Sequence, residues 1–215
     1  MSKIKPSATT RSTAGKLPKA MAAVLLCLGF TAQADEVIFS ADEVTPWHLF
    51  LGSSSNWSVP MQGLQTTTHK NEILVVDWID NLAKRDAIQA TWNGGLAQIY
   101  FQGDYTRDFS ELAGKGAALS LVLRVDEAPR KTVDVKMDCG YPCAGSLNLT
   151  KLFKSVPEDQ WFRVSLALSC FEKAGANLNT IYAPLVVATK GSFKLSVSDV
   201  RILQDPPAES LIPCG

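Results

Sequence analysis

Two runs of strict alternation constrain this chain more than any other feature. Leu119, Leu121, Leu123 and Val125 recur at every second position, as do Val133, Val135 and Met137. A period of two belongs to a strand with one face in a core. The outward positions carry Ser120, Arg124 and Asp126 in the first run, then Asp134, Lys136 and Asp138 in the second. Glu127-Ala128-Pro129-Arg130 separates the runs, and Cys139-Gly140-Tyr141-Pro142-Cys143 closes the second. The expectation is a half-buried antiparallel pair. Its charged outer face suits recognition better than an enclosed catalytic pocket.

Residues 1–34 read as a signal peptide. Lys3, Lys5, Arg11, Lys16 and Lys19 form a basic leader without acids, and Ala20 to Thr31 is a 12-residue apolar run. That run is too short to span a bilayer comfortably, and Ala32-Gln33-Ala34 matches a small-x-small cleavage site. An uncleaved anchor helix would need a longer core. Cys27 follows Leu26 where a lipid-modified cysteine would follow a small residue. Export to the periplasm or the medium is the expectation, with no membrane span after cleavage.

Cleavage also changes the charge. The full chain holds 21 basic and 21 acidic residues, so removing the leader leaves 16 against 21, a net charge of −5. Nucleic acid, which calls for a basic footprint, is a poor partner for such a chain. The remaining 181 residues suit one domain with a substantial core, here residues 35–204, followed by an irregular tail at 205–215.

Four cysteines remain: Cys139, Cys143, Cys170 and Cys214. In an oxidising compartment they favour disulfides, with three possible connectivities. Cys139–Cys143 with Cys170–Cys214 is the most local solution. In an extended strand the first two would lie about 13 Å apart, so the loop must turn if they bond. Zinc fits poorly, because no Cys-x-x-Cys occurs and neither His48 nor His69 lies near the cysteines.

Strands dominate the rest. Glu36 to Ala41, Trp47 to Gly52 and Ile73 to Ile79 read as strands, with a polar loop from Ser53 to Asn71. Asp86 to Trp92 and Leu96 to Gln102, joined by Asn93-Gly94-Gly95, give a strong hairpin signal. Trp161 to Leu168, Leu185 to Thr189 and Phe193 to Leu203 follow, the last two joined by Lys190-Gly191. Asp108 to Leu112, Leu147 to Val156 and Cys170 to Ala176 read as short helical pieces. About nine strands with little helix predict an all-β sandwich or jelly roll of two antiparallel sheets.

Several motifs are together recognisable: Asp77-Trp78, Asp86-Ala87 with Ala90-x-Trp92-x-Gly94, Leu123-Arg124-Val125-Asp126-x-Ala128-Pro129, and Met137-Asp138 leading into the cysteine loop. Pro157-Glu158-x-x-Trp161, Leu168-x-Cys170-Phe171 with Ala174-Gly175-Ala176, and Ser198-Asp199-Val200-Arg201 complete the set. The chain resembles the galactose-binding-like C-terminal module of ExoP-type exo-1,3/1,4-β-glucanases of glycoside hydrolase family 3. The likeness runs roughly from Glu36 to Leu203 and is clearest after Ile73. The cysteine loop is its most specific part, whereas Ser-Asp-Val-Arg is common among jelly rolls. In those enzymes the module is accessory, and hydrolysis resides in earlier domains that have no counterpart here. The resemblance therefore implies a free-standing accessory module and carries over no activity.

Enzymatic readings fare no better on the residues themselves. A glycosidase needs two carboxylates about 5 to 10 Å apart across the sugar. The pairs Asp77/Asp80, Asp104/Asp108, Asp126/Glu127 and Asp134/Asp138 are close in sequence, and such pairs are usually solvated surface residues. No Gly-x-Ser-x-Gly elbow, phosphate loop or His-Glu-x-x-His motif occurs. Calcium could suit the Asp-rich positions, but no ligand loop is legible, so no cofactor is assigned.

Glycan binding is the sharper expectation, because sugars match aromatic platforms beside planar polar side chains. Outward-facing Gln89, Thr91, Gln98, Tyr100, Gln102, Arg124, Lys136, Trp161, Arg163 and Ser165 would form a polar groove with two rings if their strands neighbour one another. Gln98, Tyr100, Gln102, Arg124, Lys136, Trp161 and Arg163 are the candidate binding set. Trp92 and Trp78 read as core, Trp47 as packing against Phe50, and Trp57 and Tyr141 as possible exposed rings. The expected ligand is β-glucan-like or another cell-envelope polysaccharide, with docking to a glycoside hydrolase as a variant. The competing expectation is a periplasmic protein-interaction module that never touches sugar.

Overall fold

The computed structural model describes residues 35–214 apart from 42–44, 62, 64 and 69–71. The expected signal peptide and His69 lie outside the described residues. The strands run β1 Glu36–Ser40, β2 Trp47–Ser53, β3 Asn56–Pro60, β4 Thr67–Thr68, β5 Leu74–Ile79, β6 Ala87–Asn93 and β7 Ala97–Gly103. Then come β8 Ala118–Glu127, β9 Val133–Asp138, β10 Ala144–Asn148, β11 Trp161–Ala167, β12 Ala183–Thr189, β13 Ser192–Leu203 and β14 Leu211–Ile212. Three short helices interrupt them: α1 Ser110–Gly114, α2 Thr150–Ser155 and α3 Leu168–Lys173.

The strands form two sheets, as the alternation predicts. One has the order β14-β11-β8-β13-β6-β5-β4, with β1 on β13; the other runs β10-β9-β12-β7-β2-β3. Pairing is antiparallel except for β14, which lies parallel to β11. The core fills the space between the sheets. Leu119, Leu121, Leu123 and Val125 face Val133, Val135 and Met137 across it, all of them buried. Phe39 packs on Phe101 at 5.3 Å, and Trp92 stacks on Phe193 at 5.5 Å, with Phe153 on the far side of Phe193.

This arrangement corrects the expected pairings. β8 and β9 are not partners: β8 pairs with β11 and β13, whereas β9 pairs with β10 and β12. β6 and β7 likewise lie in opposite sheets, so Asn93-Gly94-Gly95 is an arch between layers and not a hairpin. Lys190-Gly191 crosses in the same way. Gly94 and Gly95 do hold positive φ, at 109° and 82°, which glycine adopts without steric cost. The turn chemistry is therefore the same in both cases. What differs is whether two apolar faces lie side by side or opposite, and alternation does not encode that.

Other departures are smaller. The stretch from Ser53 to Asn71 contains β3 and β4, and β10 precedes α2 where the sequence predicts a single helix. The C-terminal tail is not wholly irregular, because a 3-10 turn at Ala208–Ser210 leads into β14. Both local disulfides form. Cys139–Cys143 closes a loop of sequence separation 4, and Cys170–Cys214 ties α3 to the segment after β14. No helix among the described residues is long and apolar enough to cross a membrane.

Candidate functional site

Each sheet has an outer face, and the candidate binding residues divide between the two. Gln98, Tyr100 and Gln102 on β7 and Lys136 on β9 belong to the six-stranded sheet. Arg124 on β8 with Trp161 and Arg163 on β11 belongs to the other sheet. The single groove expected from all seven therefore does not exist, because β8 and β9 go to different layers.

On the larger sheet the outer face is a closed polar net. Arg124 lies over the Trp161 ring at 5.1 Å and donates to Asp126 at 2.6 Å. Ser196 donates to the other Asp126 oxygen at 2.6 Å. Arg163 donates to Ser120 at 2.9 Å, and Ser165 meets Ser210 at 2.8 Å. Arg201 pairs with Asp199. These groups satisfy one another and leave little to offer a ligand.

The six-stranded sheet is built differently. Its outward row Lys136–Val186–Tyr100–Phe50 has apolar groups where a solvated face would carry polar ones. Tyr100, Ala183 and Val186 form a buried apolar cluster of their own, outside the sandwich core, with Phe50 packed against it. Phe50 and Tyr100 stack at 5.5 Å, and the Tyr100 hydroxyl donates to the Trp57 carbonyl at 2.7 Å. Burial pushes the Tyr100 phenol up from its ordinary value. Tyr100 is thus a floor residue and not an exposed platform. Trp47 points the other way, fully into the core, and does not touch Phe50 as expected of it.

Aromatic rims rise over this floor to enclose a groove of about 710 Å³. Trp57 is 47% exposed on β3, Tyr182 stands just before β12, and Tyr141 is fully exposed. Trp57 can lie across β2 because residue 52 is glycine: a Cβ there would stand 2.8 Å from the Trp57 carbonyl oxygen. Gln102 donates to the Tyr182 hydroxyl at 2.7 Å. Tyr141 is carried by the disulfide loop, where Cys143 N–H bonds the Gly140 carbonyl at 2.8 Å and Gly140 N–H bonds Asp138 at 2.6 Å. The polar side chains lining the groove are Gln98, Lys136 and the Tyr182-bound Gln102, with Asp138 held to Gly140. Rings above, amides between and a smooth apolar floor match the alternating C–H faces and hydroxyls of a sugar chain.

The carboxylates of this face are poorly placed for hydrolysis. Asp134 and Asp138 are four residues apart on one strand, about 13 Å, and Asp138 is tied to Gly140. The other acidic pairs are engaged elsewhere: Asp77 with Thr66, Asp80 with Arg85 N–H, Asp104 with His48, and Asp108 with Ser110. Glu127 lies beside Arg130. Among the described residues no cluster of three His, Cys, Asp or Glu side chains could hold a metal ion.

Sequence reasoning placed Gln98, Tyr100, Gln102 and Lys136 together and missed Tyr182, Ala183 and Val186. A cue existed. Ala183-Pro184-Leu185-Val186-Val187-Ala188 does not alternate, and a strand apolar on both sides has a second surface to cover.

Comparison with known proteins agrees with this architecture. Residues 45–202, well over half of the chain, match the ExoP C-terminal family, described as galactose-binding domain-like. The chain belongs to that family. The extra C-terminal domain of the exo-1,3/1,4-β-glucanase ExoP from a Pseudoalteromonas species superposes with a TM-score of 0.71 at 15% identity, covering 84% of this chain and 99% of that domain. Against the whole ExoP enzyme the TM-score is 0.70 at 15% identity, with 84% of this chain but only 22% of the enzyme covered. A family 30 carbohydrate-binding module gives 0.60 at 18% identity, covering 86% and 94%. No curated protein sequence matches the chain. The fold is thus galactose-binding-like, and the family 30 carbohydrate-binding module shares it.

Proposed function

We propose that this chain is an exported, non-catalytic module whose six-stranded face binds a β-glucan-like or other cell-envelope polysaccharide, acting beside a glycoside hydrolase. The observation that carries the reading is the buried apolar cluster of Tyr100, Ala183 and Val186 on an outer face, in a groove also lined by aromatic rings. Apolar side chains lining an open groove on an outer sheet face are a feature of ligand sites. The two disulfides fit an oxidising compartment. The kinship with the extra domain of a β-glucanase and the likeness to a family 30 carbohydrate-binding module support the ligand class. The self-satisfied acids of both faces support the absence of catalysis.

Calorimetry of residues 35–215 against soluble β-1,3-, β-1,4- and mixed-linkage glucans tests this. Saturable binding to at least one, without release of reducing sugar, is expected. Failure to bind any of them, together with a stable complex with an envelope protein, would replace the carbohydrate reading with a protein-interaction one.

A further inference from the structure

The groove does not end at its aromatic half. A second cavity of about 490 Å³ lies on the same sheet, and Lys136 lines both, so the two adjoin. The second half has a different chemistry. Its walls carry Lys131, Lys136 and Lys190 against a single acid, Asp134, with Thr132 and Thr189 as neutral polar groups. None of these three lysines lies within ion-pair distance of a carboxylate among the described residues.

The backbone holds this cationic rim together. Gly191 leaves room for the Lys131 stem: a Cβ there would stand 2.6 Å from Lys131 Cγ and 3.0 Å from its backbone nitrogen. Arg130 N–H bonds the Ser192 carbonyl at 3.0 Å, and Gly191 N–H bonds Thr189 Oγ1 at 3.2 Å. The segment leading into β9 therefore lies against the Lys190-Gly191 arch, and Lys131 and Lys190 share one rim. This unpaired positive end belongs to a chain whose exported part is acidic overall. Unpaired ammonium groups lining a cavity attract anions.

Building on the glycan reading of the groove, we infer that its basic half is a subsite for an anionic substituent on the bound polysaccharide, a carboxylate or a sulfate ester. The aromatic half holds neutral sugar rings, and the lysine half selects chains that carry negative charge some residues further on. The preferred ligand is then an acidic glycan and not a plain glucan.

The probes are one mixed-linkage β-glucan oligosaccharide preparation, the same preparation with part of its primary alcohols oxidised to carboxylates, and a partly sulfated sample. At low ionic strength the two anionic forms are expected to bind about three- to tenfold tighter than the neutral one, an advantage that fades near 0.5 M salt. A preference confined to one of them identifies the substituent. The double variant Lys131→Gln/Lys190→Gln, which keeps the stem over Gly191 and leaves only Lys136, is expected to remove most of this advantage. Equal affinity for neutral and anionic glucans overturns this inference and leaves the groove reading standing. So does a preference that survives undiminished in the double variant. Failure of all three preparations to bind overturns the groove reading as well.

Discussion

The two outer faces of this sandwich are made from the same strand alternation, yet they do opposite things. On the larger sheet, outward side chains pair with one another: Arg124 with Asp126 and Trp161, Arg163 with Ser120, Arg201 with Asp199. On the smaller sheet, outward side chains form an apolar floor, and their polar neighbours point into a groove. A face that satisfies itself contributes to stability; a face that leaves groups open has them to offer a ligand. Polarity alone does not distinguish the two, since both carry lysine, arginine or glutamine. The useful question is which polar groups already have partners.

The contrast can be broken most forcefully at the disulfides. Cys170–Cys214 closes a loop of sequence separation 44, so the double serine variant should lose about 4 kcal/mol of stability. Chemical denaturation measures this, and glycan affinity of the fraction that stays folded should be unchanged. A comparable affinity loss would show that the faces are not independent.

Single substitutions sharpen the same division. Arg124→Leu leaves Asp126, only 7% exposed, without its cation and should cost about 1–3 kcal/mol of stability without affecting binding. Trp57→Ala should do the reverse, with about 1–3 kcal/mol lost from glucan binding and an unchanged denaturation midpoint. The Trp57 partner of Tyr100 is its backbone carbonyl, which the substitution keeps. A smaller effect is expected from Cys139→Ser/Cys143→Ser, which frees the loop under Tyr141. Binding should weaken by about 0.5–1.5 kcal/mol, the cost of ordering one side chain, as calorimetry would report.

Much of the sandwich was legible because the chain states its burial pattern at every second residue. Leu119 to Val125, Val133 to Met137 and Ile88 to Trp92 all turned out core-facing. The disulfide pairing followed from distance along the chain, which favours local closure. The site was only half legible. Which strands share a sheet depends on packing between residues far apart in sequence, so Arg124, Trp161 and Arg163 were grouped with residues that lie on the opposite face. Tyr182, Ala183 and Val186 escaped because an apolar outward residue looks like one more core residue until the layers are known. Trp57 sat in a stretch read as loop, although β3 folds straight back on β2 through the two-residue turn at Ser54-Ser55.

The central claim is spatial, and one titration addresses it. The indole N–H resonances of Trp57 and Trp161 report the two faces separately, and the side-chain amides of Gln98 and Gln102 report the groove. Addition of a soluble mixed-linkage β-glucan oligosaccharide to the labelled protein should shift Trp57, Gln98 and Gln102 in proportion to saturation while Trp161 stays in place. Shifts centred on Trp161, with Trp57 and the two glutamines unmoved at saturation, would contradict the account.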